Sequence, residues 1–442
     1  MNKLQDYLNS HELSEIHPSE IAKILKKLDD REFSDALKLV PRDLLGDVAL
    51  ALPDRYFDDV IDSLTVDELR HAVTELESDD QTDFMQELEE LDETKASEVF
   101  ETLHEDDKEE ITRLKSYDED EAGSYMQLEL FTAYKDEIVQ DVIKRFARLR
   151  KENEIENVQN LFITNKDNKL RYAVGLDDLL IFDFSKTVIE NIQASDESFE
   201  PIKANDTDDI KEVVHVFEEY DLTVLAIVNA YGVLLGRITS DDIYDIINEH
   251  ATEQMYNLAG VDDEAEEDDE ILNAGRKRAT WLSLNLFTAI AASFVIALFA
   301  DTLQSMVALA VLMPIVASMG GNAGTQSLTV VVRQLALGDI SQGDAMRIIK
   351  KEVLISLGNG LVFAIIMGII AALWFSMPLL GLVIGLSMVI NLFMAGFFGA
   401  TIPLFLKKMD IDPAIGSTVI LTTVTDVVGF FSFLGLATYI LL

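Results

Sequence analysis

Between Glu352 and Lys407 the chain runs without a single charged residue. Roughly 20 residues suffice to cross the hydrocarbon core of a bilayer, so this stretch is too long for one membrane helix. Ser376, Met377 and Pro378 mark a turn that divides it into Val353–Phe375 and Leu379–Leu406. Three further apolar segments are long enough to span: Trp281–Ala300, Met306–Val332, and about Pro413 to Leu442. Basic residues gather at Arg276-Lys277-Arg278, at Arg333 with Arg347, Lys350 and Lys351, and at Lys407-Lys408. The loops Asp301–Ser305 and Ser376–Pro378 carry none. Positive charge favours the inner side, which predicts five spans in an inner or plasma membrane, with everything before Arg276 in the cytoplasm and the C-terminus outside.

The two parts of the chain differ sharply in charge. From Arg276 onward there are 9 basic and 7 acidic residues. That leaves 26 of the 35 basic and 72 of the 79 acidic residues in 1–275, a net of −46. So acidic a surface repels nucleic acid and anionic lipid and attracts cations. The chain has no cysteine, which excludes disulfides and thiolate metal sites.

Two features of the spans go beyond hydrophobicity. In "MPIVASMGGNAGTQSL" (313–328), Pro314 can kink the second span, and Gly320, Gly321 and Gly324 allow close approach of another backbone. A helix-packing face would explain those glycines. Asn322, Thr325 and Gln326, however, bring polar groups that lipid cannot satisfy, which favours a water-filled lining. In the fifth span, Thr418, Thr422 and Asp426 fall at i, i+4 and i+8, one polar stripe. A charge at the bilayer centre costs about 2.5–3.5 kcal/mol on insertion scales. No Lys or Arg lies within the spans to pair with Asp426, and a cation in a wet pore is its natural partner.

The acidic half contains two internal repeats. Val40, Leu52, Leu64, Leu76 and Leu88 recur every 12 residues, which predicts a solenoid of short helices over residues 1–125. Thr65 with Glu68, and Ser78 with Gln81, have capping-box spacing. After Ser78, Asp79 and Asp83 share a helical face away from Phe84, Leu88 and Leu91. Such a pair is either a solvated face or two carboxylates that repel until a cation bridges them. Farther on, "FITNKDNKLRYAVGLDDLL" (162–180) aligns without gaps to "AIVNAYGVLLGRITSDDIY" (226–244), an offset of 64. Each copy reads as strand, turn, strand and an Asp-capped helix, preceded by another helix.

The paired unit with "GRITSDD" resembles a tandem cystathionine-β-synthase (CBS) domain. The order of acidic helical repeat, "YDEDEAGSYM" (117–126), CBS pair and five spans with "GGNAGTQS" and "TDVVGF" resembles the MgtE family of magnesium channels. The fold this implies is multidomain: an all-α N domain (1–125), an α/β tandem CBS domain (126–250), a connecting "plug" helix with an acidic linker (251–275), and an all-α five-helix membrane domain (276–442). The resemblance further implies a homodimer around a shared central pore, with magnesium as both cargo and regulator. By position, Asp426 matches the pore carboxylate, with Thr418 and Thr422 on the same lining helix. Pro314, Gly320, Gly321, Asn322 and Gly324 join that lining. Asp79 and Asp83 match N-domain sensor carboxylates, and Asp221, Asp242 and Asp245 match those of the CBS pair. Glu253 falls in the plug helix, where Gln254 stands in place of an expected second acid. The acidic run 262–270 either compensates or is simply solvated.

Magnesium dehydrates reluctantly, so carboxylates that hold a hydrated ion suit a pore better than a dry cage does. Repulsion would hold the acidic faces apart when magnesium is scarce, and bridging ions would compact them and draw the plug onto the pore. Cobalt, nickel or manganese is an alternative cargo, although the membrane half has no His or Cys and oxygen ligands suit hard cations. A non-transporting membrane sensor is a second alternative. An enzyme is not expected: "HELSE" (11–15) mimics a zinc-protease motif but has Glu15 where the second His belongs, and no P-loop occurs. ATP as a regulator at the CBS pair is a further expectation, without a distinctive phosphate loop to carry it.

Overall fold

The computed structural model describes residues 2–11, 15–152, 155, 157–261, 271–336, 340, 343–409 and 411–442. The acidic run 262–270 therefore lies outside the described residues. The chain forms two compact units, Met1–Asn248 and Glu249–Leu442.

The first unit begins with helices α1 (Asn2–Ser10) to α9 (Glu105–Leu114), packed around one core that reaches from Leu4 to Ile111. The 12-residue period has a direct cause. Val40, Leu52, Leu64 and Leu76 lie just past the ends of α3 (Asp30–Leu37), α4 (Leu45–Leu50), α5 (Phe57–Ser63) and α6 (Val66–Thr74), and all are buried. One apolar residue thus closes each short helix onto the core. Leu88 breaks the pattern, because it lies inside the longer α7 (Ser78–Leu91). Thr65 and Glu68 form the expected capping box. Ser78 and Gln81 do not. Ser78 lies within α7, and its backbone N–H and hydroxyl donate to Glu129, 3.0 Å each, while Gln81 Nε2 donates to the Leu76 carbonyl at 2.9 Å. A carboxylate 51 residues away has taken the donors that a local cap would have used.

Two three-stranded sheets follow, with orders β1-β2-β3 and β4-β5-β6. In the first, β1 (Thr132–Tyr134) is parallel to β2 (Asn160–Thr164), which is antiparallel to β3 (Leu170–Gly175). In the second, β4 (Lys203–Asn205), β5 (Val224–Val228) and β6 (Leu234–Thr239) repeat that arrangement. The second and third strands of each sheet are displaced by the 64 residues read from the sequence, and both sheets shift register at the equivalent place, Ile163/Thr164 and Ile227/Val228. Reciprocal backbone bonds, Leu170 N–H to Gly232 O and Leu234 N–H to Asn168 O, join the copies about a pseudo-twofold. A small core that includes Phe162, Leu170, Ala226 and Leu234 fills the seam between them. The helix after β3 is not capped by an Asp side chain as expected, whereas at the start of the helix after β6 Asp242 accepts the Thr239 N–H. Gly175 is the N-cap of α11 (Leu176–Ile181), with Asp177 and Asp178 in the first turn, where they favour the positive end of the dipole. The helix that follows β6, α14, covers Ser240–Ala259.

Among the described residues of the second unit, five helices are long and apolar enough to cross a membrane: Arg278–Ala297, Val307–Ala336, Ala345–Trp374, Pro378–Lys408 and Ser417–Leu441. The first stops at Ala297, short of the expected Ala300, and Ala300–Ser305 forms a separate short helix rather than a loop. The Thr302 and Thr438 hydroxyls, 2.8 Å apart, tie it to the fifth span. The fifth span starts at Ser417, after Gly416 in a left-handed conformation (φ 67°), where a side chain would be strained. The fourth span is the hub and packs against the second, third and fifth. Glycines make this possible. A Cβ on Gly381 would lie 2.3 Å from the Gly368 carbonyl oxygen, and one on Gly399 would lie 2.7 Å from that of Gly324.

Candidate functional site

The start of α7 meets the start of α14 in the first unit, and this contact gathers acids. Asp79 is buried, Asp80 is half-buried, and Asp83 is exposed one turn on. Opposite them, Asp242 accepts from the Thr239 hydroxyl at 2.7 Å, the Thr239 N–H at 3.2 Å and Gln127 Nε2 at 3.4 Å. Burial, followed by the nearby Asp242 and Asp80, holds the Asp79 carboxyl well above the usual carboxylate range. Burial, with Asp242 and Asp83, pushes Asp80 up to about 7. Asp242 is also raised by burial, against the pull of its Thr239 hydrogen bonds. The pair Asp79 and Asp83 is therefore not a simple solvated face, because Asp79 points inward. Leu91, expected on the buried side, is 46% exposed. Among the described residues no three carboxylates or imidazoles converge closely enough to hold an ion together. The donor set is nevertheless all oxygen, and Asp79 Oδ1 is buried without a hydrogen-bond partner. That orphaned oxygen suits a hard cation.

Sequence reasoning passed over two members of this cluster. Asp80 stands between the paired positions and is the acid pushed to about 7. Arg237 is only 2% exposed and crosses the contact: Nε donates to Gln127 Oε1 at 3.1 Å, Nη1 to the Asn157 carbonyl at 3.2 Å, and Nη2 lies 3.6 Å from Glu77 Oε1. An arginine inside the apolar strand "LLGRIT" was the available signal, since a buried cation needs acidic company. Asp245 is exposed and raises Asp242 through its charge. Asp221 sits apart from these acids, exposed at the left-handed C-cap of α13 (Ile210–Tyr220), with φ 51°.

In the second unit, α14 ends against the membrane helices. Thr418 Oγ1 donates to the Leu258 carbonyl at 2.9 Å, and Leu258 packs beside Leu328, Val332, Ile402, Ala414 and Leu421. Glu253 faces His250 Nδ1 at 3.3 Å and accepts from Asn257 Nδ2 at 3.5 Å, so its partners lie on its own helix.

Thr418, Thr422 and Asp426 follow one another along the fifth span, all half-buried. Thr422 Oγ1 donates to the Thr418 carbonyl at 2.9 Å, whereas Asp426 has no hydrogen-bonded or ionic partner among the described residues. The second span has two distinct faces. Pro314, Ser318, Asn322 and Gln326 are exposed along one, where Asn322 Nδ2 donates to Ser318 Oγ at 3.4 Å. Gly320 and Gly324 lie on the other, buried against Asn391 and Leu421. Those two glycines serve helix contact within the chain rather than an open lining, while Gly321 has open space around its Cα.

Three family models match. One described as "Divalent cation transporter" (MgtE) covers 313–436, one described as the MgtE intracellular N domain covers 16–120, and one for a CBS domain covers 196–249. The magnesium transporter MgtE of Thermus thermophilus is 30% identical over 333 residues, 75% of this chain and 72% of that protein. The Bacillus subtilis protein of the same name is 30% identical over 330 residues, 74% and 70% of the two chains. Among solved structures, the cytosolic domain of the Mg2+ channel MgtE in complex with ATP matches at 26% identity with a TM-score of 0.49, covering 55% of this chain and 98% of that one.

Proposed function

Because the chain belongs to the MgtE family of magnesium transporters, we propose that it imports magnesium through a pore lined by the fifth spans of two copies, and that cytoplasmic magnesium closes this pore. The observation that carries the reading is Asp426, a carboxylate midway along a membrane helix with no partner in its own chain among the described residues. A twofold axis would bring two such carboxylates to one ion, and a C2 dimer is the commonest closed assembly. Magnesium would keep its inner water shell and bind through it, tightly enough to enter and loosely enough to leave. In the cytoplasmic half, Asp79, Asp83, Asp242 and Asp245 supply the bridging oxygens, with Asp221 as an outlying ligand. The end of α14 at Leu258, seated on Thr418, is the element that bridging would hold in place. The N-terminal domains lie in the cytoplasm and the C-terminus outside. ATP in the CBS pair belongs to the same reading as a regulator, and titration calorimetry of the full chain with ATP tests it.

The test is reconstitution. Purified protein in liposomes should pass magnesium in preference to manganese, cobalt and nickel, and its mass in detergent should correspond to two copies. A monomer that still conducts, or vesicles without flux, would overturn the dimeric pore.

A pH effect follows from the acidic cluster. Asp80 titrates near 7 in the folded chain against an ordinary 3.8. At this group the folded state therefore binds protons more tightly than the unfolded one, so its contribution to stability is fully present below about pH 4 and is lost as pH rises through about 7. Without divalent ions, protease resistance of residues 1–248 in the full chain should fall across that window. Magnesium should flatten the profile and release protons as it binds near neutrality. A profile independent of magnesium would remove these acids from the sensor.

A further inference from the structure

The uncharged stretch between Glu352 and Lys407 contains a polar residue that neither the proposed ion path nor the proposed sensor uses. Asn391, in the middle of the fourth span, is fully buried. Its Nδ2 donates to the Val316 carbonyl of the second span at 2.8 Å, half a turn past Pro314. Its Oδ1 is buried with no hydrogen-bond partner. Glycines of two different helices stand against this one side chain. A Cβ built on Gly320 of the second span would lie 2.3 Å from Asn391 Nδ2, and one on Gly429 of the fifth would lie 2.8 Å from it. Real Cβ atoms essentially never come that close, so both helices are as near to Asn391 as a bare backbone allows.

Simple helix packing would be served better by Leu or Ala, because an amide with an unpaired oxygen is costly in hydrocarbon. Polar residues inside a membrane are expensive and as a rule functional. What Asn391 joins is informative. Gly320 lies two residues before Asn322, on the helix whose opposite face carries Ser318, Asn322 and Gln326. Gly429 lies one turn beyond Asp426 on the fifth span. Asn391 therefore touches both helices that carry polar groups along the proposed ion path, the second from the face opposite those groups and the fifth at a glycine one turn from Asp426.

We propose that Asn391 is a positioning residue of the permeation pathway: wedged between Gly320 and Gly429 and bonded to the Val316 carbonyl, it sets the spacing between the polar face of the second span and Asp426. That spacing decides how large a hydrated ion fits, so Asn391 tunes which divalent cation passes. The inference rests on the reading of Asp426 as the carboxylate that receives the ion.

The experiment compares wild type, Asn391→Leu, Asn391→Ala, Gly429→Ala and the double variant Gly429→Ala/Asn391→Ala in proteoliposomes, with each preparation normalised to folded, correctly assembled protein by size exclusion. Asn391→Leu keeps the branched shape and heavy-atom count, though not the volume, and removes the bond to Val316. It is expected to lower the ratio of magnesium to manganese flux by about fivefold or more, a shift that mere loss of folded protein cannot produce because it scales both fluxes alike. Gly429→Ala should lose magnesium flux by about tenfold, and removing the Asn391 amide should restore most of it, since neighbours that clash are not additive. A ratio within about twofold of wild type in Asn391→Leu, or a Gly429→Ala loss that is the same with and without Asn391, would overturn the proposal. Asp426→Asn in the same assay separates the two ideas. If it retains flux, the ion-path reading fails; if it is dead while the Asn391 ratio stays unmoved, only the positioning role fails.

Discussion

Asp426→Asn should assemble like wild type and lose at least about nine-tenths of its magnesium flux in proteoliposomes, equivalent to about 1.4 kcal/mol or more of lost ion binding. The substitution keeps side-chain size and hydrogen-bonding capacity and removes only the charge. In a monomer whose Asp426 merely glued helices together, it would be neutral or stabilising, because a neutral amide is cheaper to bury than a carboxylate. Here no described residue donates to that carboxylate, so there is no glue to lose. Thr418 and Thr422 spend their hydroxyls on the Leu258 and Thr418 carbonyls, and removing either should cost far less than removing the charge. Flux within about twofold of wild type would take Asp426 out of the pore.

The second large effect lies in the acidic cluster proposed as the sensor. With Asp79, Asp83, Asp242 and Asp245 all replaced by Ala, the magnesium needed to half-close the channel is expected to rise by about tenfold or more. Wild type should close through the millimolar range. Repulsion is relieved by the same substitutions, so compaction of the isolated half is a poor readout and current is the proper one. Screening by matched potassium chloride should not mimic magnesium, since buried pairs are poorly screened. Arg237 and Glu77 remain in the variant and continue to link Gln127 and the Asn157 carbonyl to the start of α7, which keeps the two faces in register. Closing of both proteins at the same concentration would take these carboxylates out of the sensing role.

Whatever is periodic in this chain was legible before any coordinates. The 12-residue spacing found helix ends because one buried residue closes each turn of the solenoid. The 64-residue offset found two copies of one sheet because equivalent strands carry equivalent burial. The five spans followed from length and charge alone. What escaped were partners brought together from far apart. Ser78 looked like a cap and became a ligand of Glu129, 51 residues away. Asp79 looked solvated but is buried near Asp242, 163 positions on. Thr418 meets Leu258 across 160 positions. Asn391 was one amide in a long apolar run, and only the packing of three helices gives it a task. Local pattern fixes which face a residue presents, whereas the identity of what meets that face is a tertiary fact.

The seat of Leu258 has a thermal consequence. Leu328, Val332, Ile402, Ala414 and Leu421 around it are all aliphatic, and a hydrogen bond from Thr418 anchors the backbone. Near room temperature such a contact is driven by the entropy of released water and weakens on cooling. Ionic bridging in the proposed sensor weakens on cooling as well, because the cost of desolvating charges is higher in the cold than in the heat. Both contributions therefore push the same way, and the half-closing magnesium concentration should rise as temperature falls from about 35 to about 10 °C, with a shallower slope in Leu258→Ala. A cell that cools would then find its magnesium channel harder to shut, admitting the ion at internal concentrations that would have closed it when warm.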